Sequence, residues 1–318
     1  MSPTSSPLAP ADAPPVADVL IALYIQALRT GRGWTRRDLA ASLGRQPHWI
    51  ADLERARRPA TAEDLSTVLL RCGIVDYNIV RGLQAWLMPS PDPHTLTDRA
   101  PGGDERLHLF EYSASAIRLC APSQLPAILR TPAYAQALKN AAGDREEQVS
   151  SGSRLLPVCA SFLVVLDETV LSELAGSPAV KAEQIAYLQE IVERDEVRLL
   201  ITPKNAVGFA EQLCELTLYD FDQPLYVVEQ GHPTYLNGPP ASCHSRHQLI
   251  TNALEAAADN DHSQRLLTKY LKRFRRQLTG QGAARRDQPH TSAAPGGATA
   301  ATADLPVPVP SPAASRNR

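Results

Sequence analysis

The stretch LAASLGRQPHWIADLERARRP, residues 39–59, decides how the first third of the chain is read. Two helices packed at a steep angle need a small residue where they cross, a turn residue that tolerates positive φ, and apolar side chains plugging the interface. Ala40, Gly44 and the set Leu39, Leu43, Ile50 and Leu53 stand at those positions. Pro47 falls at the first position of the second helix, where its missing N–H costs nothing. The spacing predicts a helix-turn-helix.

Working outward, the hydrophobic period stays helical. VADVLIALYIQALRT (16–30) carries a broad apolar face and stops at Gly31 and Gly33. TRRDLAAS opens with Thr35 as N-cap and Asp38 three residues on, a capping box with Asp in place of Glu or Gln. Thr61 with Asp64, and then Asp76, open two further helices. The expectation is an all-α five-helix helix-turn-helix domain over residues 16–88. PSPDPHTLTDRAPGGDER (89–106), with its Pro, Gly and charge, reads as a linker.

Beyond it the pattern mixes. LHLFEYSASAIRLCAP (107–122) and TPAYAQALKNAAG (131–143) read as helices. SFLVVLD, EVRLLIT, LCELTLYD and PLYVVEQ are short Val-, Leu-, Ile- and Tyr-rich runs bounded by Pro, Asp or Gly, and read as strands. More helices are expected near 169–175, 178–193, 244–258 and 261–277. An α+β effector domain over 107–280 follows. Residues 1–15 and 281–318, rich in Pro, Ala and Ser, read as disordered tails.

The formal charge of −2 hides an asymmetry: +3 over residues 16–90, −10 over 91–243 and +4 over 244–280. The first and last parts suit an anionic partner and the middle does not. No apolar run approaches the roughly 20 residues of a membrane span, and MSPTSSPLAPADAPP lacks the basic start and apolar core of a signal peptide. The expected location is the cytoplasm, at the nucleoid, with no membrane partner. The five cysteines are odd in number and lack CxxC pairing, so they read as buried thiols. There is no GxGxxG, P-loop or GxSxG. No enzymatic activity, catalytic residue, cofactor or metal is expected. Asp167–Glu168 reads as a helix start, the Cys243, His244, His247 cluster lacks a distant second pair of ligands, and KYLKRFRRQL (269–278) reads as a terminal helix docking its apolar side.

Between Arg29 and Arg58 eight arginines face only Asp38, Asp52 and Glu54. Arg36 and Arg37 open the first helix of the pair, and Arg55, Arg57 and Arg58 follow the second, so both flanks suit phosphates beside a major groove. At this point LRTGRGWTRRDLAASLGRQPHWIADLERARRP resembles the Xre-type (lambda-repressor-like) helix-turn-helix pattern through Leu28, Arg29, Thr35, Leu39, Ala40, Leu43, Gly44, Ile50, Glu54, Arg57 and Pro59. The segments IRLCAPSQLPAILRTPAYAQAL, VVLDETVLSELAGSPAVKAEQIAYLQEIVERDEVRLLITP and PLYVVEQGHPTYLN resemble the C-terminal domain of unknown function attached to such regulators in actinomycetes, the WhiJ-like and antitoxin-like group. Together the two resemblances cover about residues 17–275.

The resemblance implies a sequence-specific transcriptional regulator that binds double-stranded DNA as a homodimer, with an effector domain for dimerisation, a ligand, or a small partner protein encoded nearby. The alternative is an antitoxin-like protein-interaction module whose helix-turn-helix no longer reads DNA. Carried over, Gln46, Pro47, His48, Ala51 and Asp52 face base edges, while Arg36, Arg37, Arg45, Arg55, Arg57 and Arg58 complete the DNA-binding set. The sequence departs from the pattern at Arg45, Gln46, Ala51, Asp52 and Ala56, where an apolar turn residue, a Ser cap, a Ser–basic pair and a Gly are usual. Asp52 can only accept hydrogen bonds, as from cytosine N4; the other possibility is a pairing with Arg45 or Arg55.

Overall fold

The computed structural model describes residues 13–142, 156–157, 159–204, 211–238 and 240–286. The chain opens with α1 (Val16–Gly31), α2 (Arg36–Ser42), α3 (Pro47–Glu54), α4 (Ala62–Arg71) and α5 (Tyr77–Ala85). The capping residues form these starts: Thr35 and Thr61 each complete a capping box with the aspartate three residues on, and the Asp76 carboxylate accepts from the N–H groups of Asn78 and Ile79.

Then come β1 (Thr95–Thr97), α6 (Gly103–Tyr112), β2 (Ala114–Ala121), α7 (Pro132–Ala142), β3 (Ser161–Asp167), α8 (Glu168–Ser172), α9 (Pro178–Glu193) and β4 (Arg198–Thr202). The chain continues through β5 (Gln212–Leu218), β6 (Leu225–Gln230), β7 (His232–Leu236), α10 (Pro240–Ala256) and α11 (Asn260–Arg286). One seven-stranded sheet runs β1-β7-β6-β5-β2-β3-β4. Strands β2, β3 and β4 are parallel, joined by helical crossovers, while β5, β6 and β7 form an antiparallel meander beside β2.

The expected all-α domain followed by an α+β domain is overturned. Residues Met1–Thr279 form one compact unit, and a single hydrophobic core runs from Val16, Leu20 and Ile50 through Ile117, Val164 and Ile201 to Tyr270 and Phe274. The segment 89–106 is not a linker. Thr95, Leu96 and Thr97 pair with Leu236, Tyr235 and Thr234 of β7. Asp98 is fully buried and bound twice by buried Arg106, Nε to Oδ2 at 2.9 Å and Nη2 to Oδ1 at 2.7 Å. The remaining Arg106 donors go to the carbonyls of Pro101 at 2.6 Å and Ala100 at 2.8 Å. Its guanidinium lies 5.9 Å from the Tyr24 ring of α1 and 5.5 Å from Trp86, which caps α5. Gly82 of α5 sits so close to this loop that a Cβ there would fall 2.5 Å from the Ala100 Cβ. A composition of Pro, Gly and charge suits a surface linker; here it encodes a buried ion pair and a close backbone approach.

The second correction is β2. Residues 107–122 were expected as one helix, yet α6 ends at Tyr112 and ASAIRLCA is a central strand between β3 and β5. Ile117, Leu119 and Ala121 point into the main core while Cys120 points into a second cluster on the opposite face. A strand buried on both faces gives no clean alternation, so period alone cannot separate it from a helix. The four expected strands appear as β3 to β6.

Asp167 caps α8 through the Thr169 N–H, as its place at a helix start implies. Leu267, Tyr270, Leu271 and Phe274 dock α11 into the main core. The expected tails fall almost wholly outside the described residues, except that Pro15 precedes α1 and α11 continues to Arg286. Cys72, Cys120, Cys214 and Cys243 are buried thiols, and burial pushes Cys120 up to about 12. Among the described residues no helix is long and apolar enough to cross a membrane.

Candidate nucleic-acid interface

The α2–turn–α3 pair is assembled by the residues its spacing singled out. Leu39, Ala40, Ile50 and Leu53 are buried between the helices. Gly44 takes φ +63°, where a side chain is disfavoured. Thr35 accepts from the Asp38 N–H at 3.2 Å and the Asp38 carboxylate accepts from the Thr35 N–H at 2.8 Å, which also lowers the Asp38 pKa. At the start of α3, Gln46 occupies the N-cap position but its side chain makes no capping hydrogen bond. That amide is therefore left for a partner.

Gln46, Pro47 and His48 are exposed on the first turn of α3, with Ala51 and Asp52 half-buried one turn on. Among the described residues Asp52 forms no ion pair with Arg45 or Arg55: the Arg45 guanidinium lies 5.2 Å from the Trp49 ring, and Arg55 Nε lies 3.4 Å from Asp220 Oδ1. Arg58 covers the other side of Trp49 at 4.8 Å and binds Asp64 at 3.0 Å. Arg37, Arg45 and Arg57 are exposed. The indole, held between two guanidiniums, stiffens the outer face of α3.

Arg36 is placed differently from a free phosphate ligand. Its Nε donates to Glu54 Oε2 at 2.6 Å, and its Nη2 stands 3.7 Å from Asp220 Oδ2. Glu54, fully buried at the end of α3, also receives Arg29 Nε at 2.5 Å and Arg29 Nη2 at 3.2 Å. Arg29 Nη1 in turn donates to the Trp34 carbonyl at 2.7 Å. One carboxylate thus ties α1, α2 and α3 together. Sequence reasoning counted Glu54 only as an acid among arginines.

It also passed over Asp220, in the turn between β5 and β6, which faces both Arg36 and Arg55. Around that turn opens a cleft of about 920 Å³, bordered by Arg55, Arg57, Asp220, Phe221 and Asp222. An acidic turn lying between two arginines that flank α2 and α3 stands in the place of a phosphate.

Ala56, just after α3, adopts φ +49°. The left-handed region costs a residue with a Cβ about 1–2 kcal/mol, partly offset because glycine gains freedom when unfolded. Ala56→Gly should therefore stabilise the protein by about 0.5–1 kcal/mol, read as a higher midpoint in urea denaturation. An unchanged or lower midpoint would show that the half-buried methyl contributes more packing than the strain costs.

The family model described as a domain of unknown function (DUF5753) matches residues 104–269, from the start of α6 into α11. The α2–turn–α3 pair lies outside the matched residues. No curated protein matches the chain.

Proposed function

The chain belongs to the family defined by the domain of unknown function DUF5753, and on that premise we propose that it is a sequence-specific, DNA-binding transcriptional regulator. In this reading α3 enters the major groove, and the family domain acts as the effector half, binding a ligand, a small partner protein or a second copy of the chain. The observation that carries it is the exposed first turn of α3, with the uncommitted amide of Gln46 beside His48, flanked by exposed Arg37, Arg45 and Arg57. The resemblance to Xre-type regulators adds to it. Gln46 can pair with an adenine edge through donor and acceptor together, and Ala51 can touch a thymine methyl. As a homodimer the protein would read half-sites about 34 Å apart.

A second reading, a protein-interaction module that no longer reads DNA, has one observation in its favour: Asp220 engages two of the arginines expected to hold phosphate. The two readings part on DNA taken from beside the protein's own gene, titrated by fluorescence anisotropy over a range of salt. A steep negative dependence of log affinity on log salt supports the regulator, and no dependence supports the module. Arg37→Ala with Arg57→Ala should weaken binding to all sequences alike and reduce the salt slope by about 2. Arg36 is the wrong probe, since its loss also strips Glu54. Asp220→Asn should strengthen binding by up to about fivefold, the worth of an exposed ion pair. A flat salt dependence, unchanged by all three substitutions, would sink the regulator reading.

A further inference from the structure

The sheet face that carries Cys120, Val165, Leu213, Tyr226 and Val228 is covered by α10, through Cys243, Ile250 and Ala253. At the margin of this contact lies a cleft of about 430 Å³, walled by Arg118 and Glu215 from neighbouring strands, Tyr226 of β6, His247 of α10, and the β5–β6 turn at Phe221 and Asp222. Its volume is within the range of small-molecule sites. Glu215 is the residue to explain. Its side chain is 2% exposed, and Arg118, its cross-strand partner, donates both Nε and Nη2 to the same oxygen, Oε1. The other oxygen, Oε2, is buried and accepts no hydrogen bond from a described residue. His247 Nδ1 lies 3.4 Å from it without forming one.

A buried carboxylate oxygen left without a donor is costly, and native proteins satisfy nearly all such atoms. We propose that this cleft is a binding site for a small organic ammonium, a primary amine on an apolar or aromatic body, whose N–H groups satisfy Glu215 Oε2. Arg118 neutralises only one of the two carboxylates in the wall, Glu215 and Asp222, so the lining favours a cation. Tyr226 and Phe221 supply aromatic surface for the body and for the charge. The Tyr226 hydroxyl, raised in pKa by its burial and by the Glu215 charge, stays protonated beside the amine, 3.5 Å from His247 Nδ1. A metal ion suits the lining less well, since among the described residues no group of three or more His, Cys, Asp or Glu side chains is placed to hold one.

The assignment fills in the ligand-binding role proposed above for the effector half, but its test contains no DNA, so it stands or falls separately. Benzylamine, benzyl alcohol and benzoate, which share one body and differ in charge, are titrated by calorimetry into the full chain. Benzylamine is expected to bind at millimolar concentrations or below, benzyl alcohol more weakly, and benzoate not at all. Glu215→Gln should weaken benzylamine by about tenfold or more, as for a truncated buried charge pair, and leave benzyl alcohol unchanged. Should that variant fold poorly because Arg118 loses its partner, Tyr226→Phe removes only a hydroxyl and should weaken benzylamine several-fold. Benzoate binding as well as benzylamine, no benzylamine binding, or affinity unchanged in the variant that folds would each overturn the assignment.

Discussion

Asp98→Ala should cost about 3–5 kcal/mol of folding free energy, the penalty for removing one partner of a buried ion pair. The substitution leaves Arg106 charged, 2% exposed, and stripped of two of its four hydrogen bonds. It also removes the acceptor for the Ala100 N–H, 3.0 Å from Asp98 Oδ1. The position of the pair sharpens the expectation. Arg106 lies near Tyr24 and Trp86 among the first five helices, while Asp98 follows β1 and donates its N–H to the Pro233 carbonyl of β7. The damage should therefore reach both parts of the core. Urea unfolding followed by tryptophan fluorescence and by far-ultraviolet circular dichroism should give coincident transitions, before and after the substitution. A double replacement, Asp98→Ala with Arg106→Met, should recover part of the loss, because no buried charge then remains. A loss under about 1 kcal/mol, or helices that melt in a separate earlier transition, would contradict the single shared core.

That pair also marks where the sequence could be read and where it could not. Short-range rules found the helices of the first 85 residues, because capping boxes, Pro47 and Gly44 act within a turn or two of chain. They found β3 to β6, whose Val- and Leu-rich runs are bounded by turn residues. They failed where a segment's role depends on a distant partner. β1 is a strand only because Thr95, Leu96 and Thr97 meet β7 some 140 residues later, the separation seen between Thr97 and Thr234. Asp98 and Arg106 read as solvated charge until the fold closes around them. The same limit applies to the candidate sites. The exposed first turn of α3 was legible from spacing and from family resemblance. Glu54 as a clamp, Asp220 across from Arg36 and Arg55, and the unpaired oxygen of Glu215 arise from tertiary contacts that no local pattern encodes.

Glu54→Gln should prove nearly as costly, about 3 kcal/mol or more, although it preserves the shape of the side chain. Both carboxylate oxygens are used as acceptors, Oε1 by Arg29 and Oε2 by Arg29 and Arg36. A carboxamide has one acceptor and presents N–H donors where the second oxygen stood, so one guanidinium must face donors with donors. The cost should fall unevenly. Arg36 keeps 31% of its side chain exposed and has Asp220 at 3.7 Å, so it can turn to solvent, whereas Arg29 keeps only 9%. Double-mutant cycles in urea should give a larger coupling of Glu54 with Arg29 than with Arg36. Equal couplings, or a cost for Glu54→Gln below about 1 kcal/mol, would reduce the triad to a surface ion pair. The same cycles bear on function. Glu54 is the last residue of α3, and it fixes that helix against α1 and α2. At a temperature where the variant stays folded, Glu54→Gln should still weaken DNA binding, because α3 is then less firmly aimed even though every residue expected at the groove is intact.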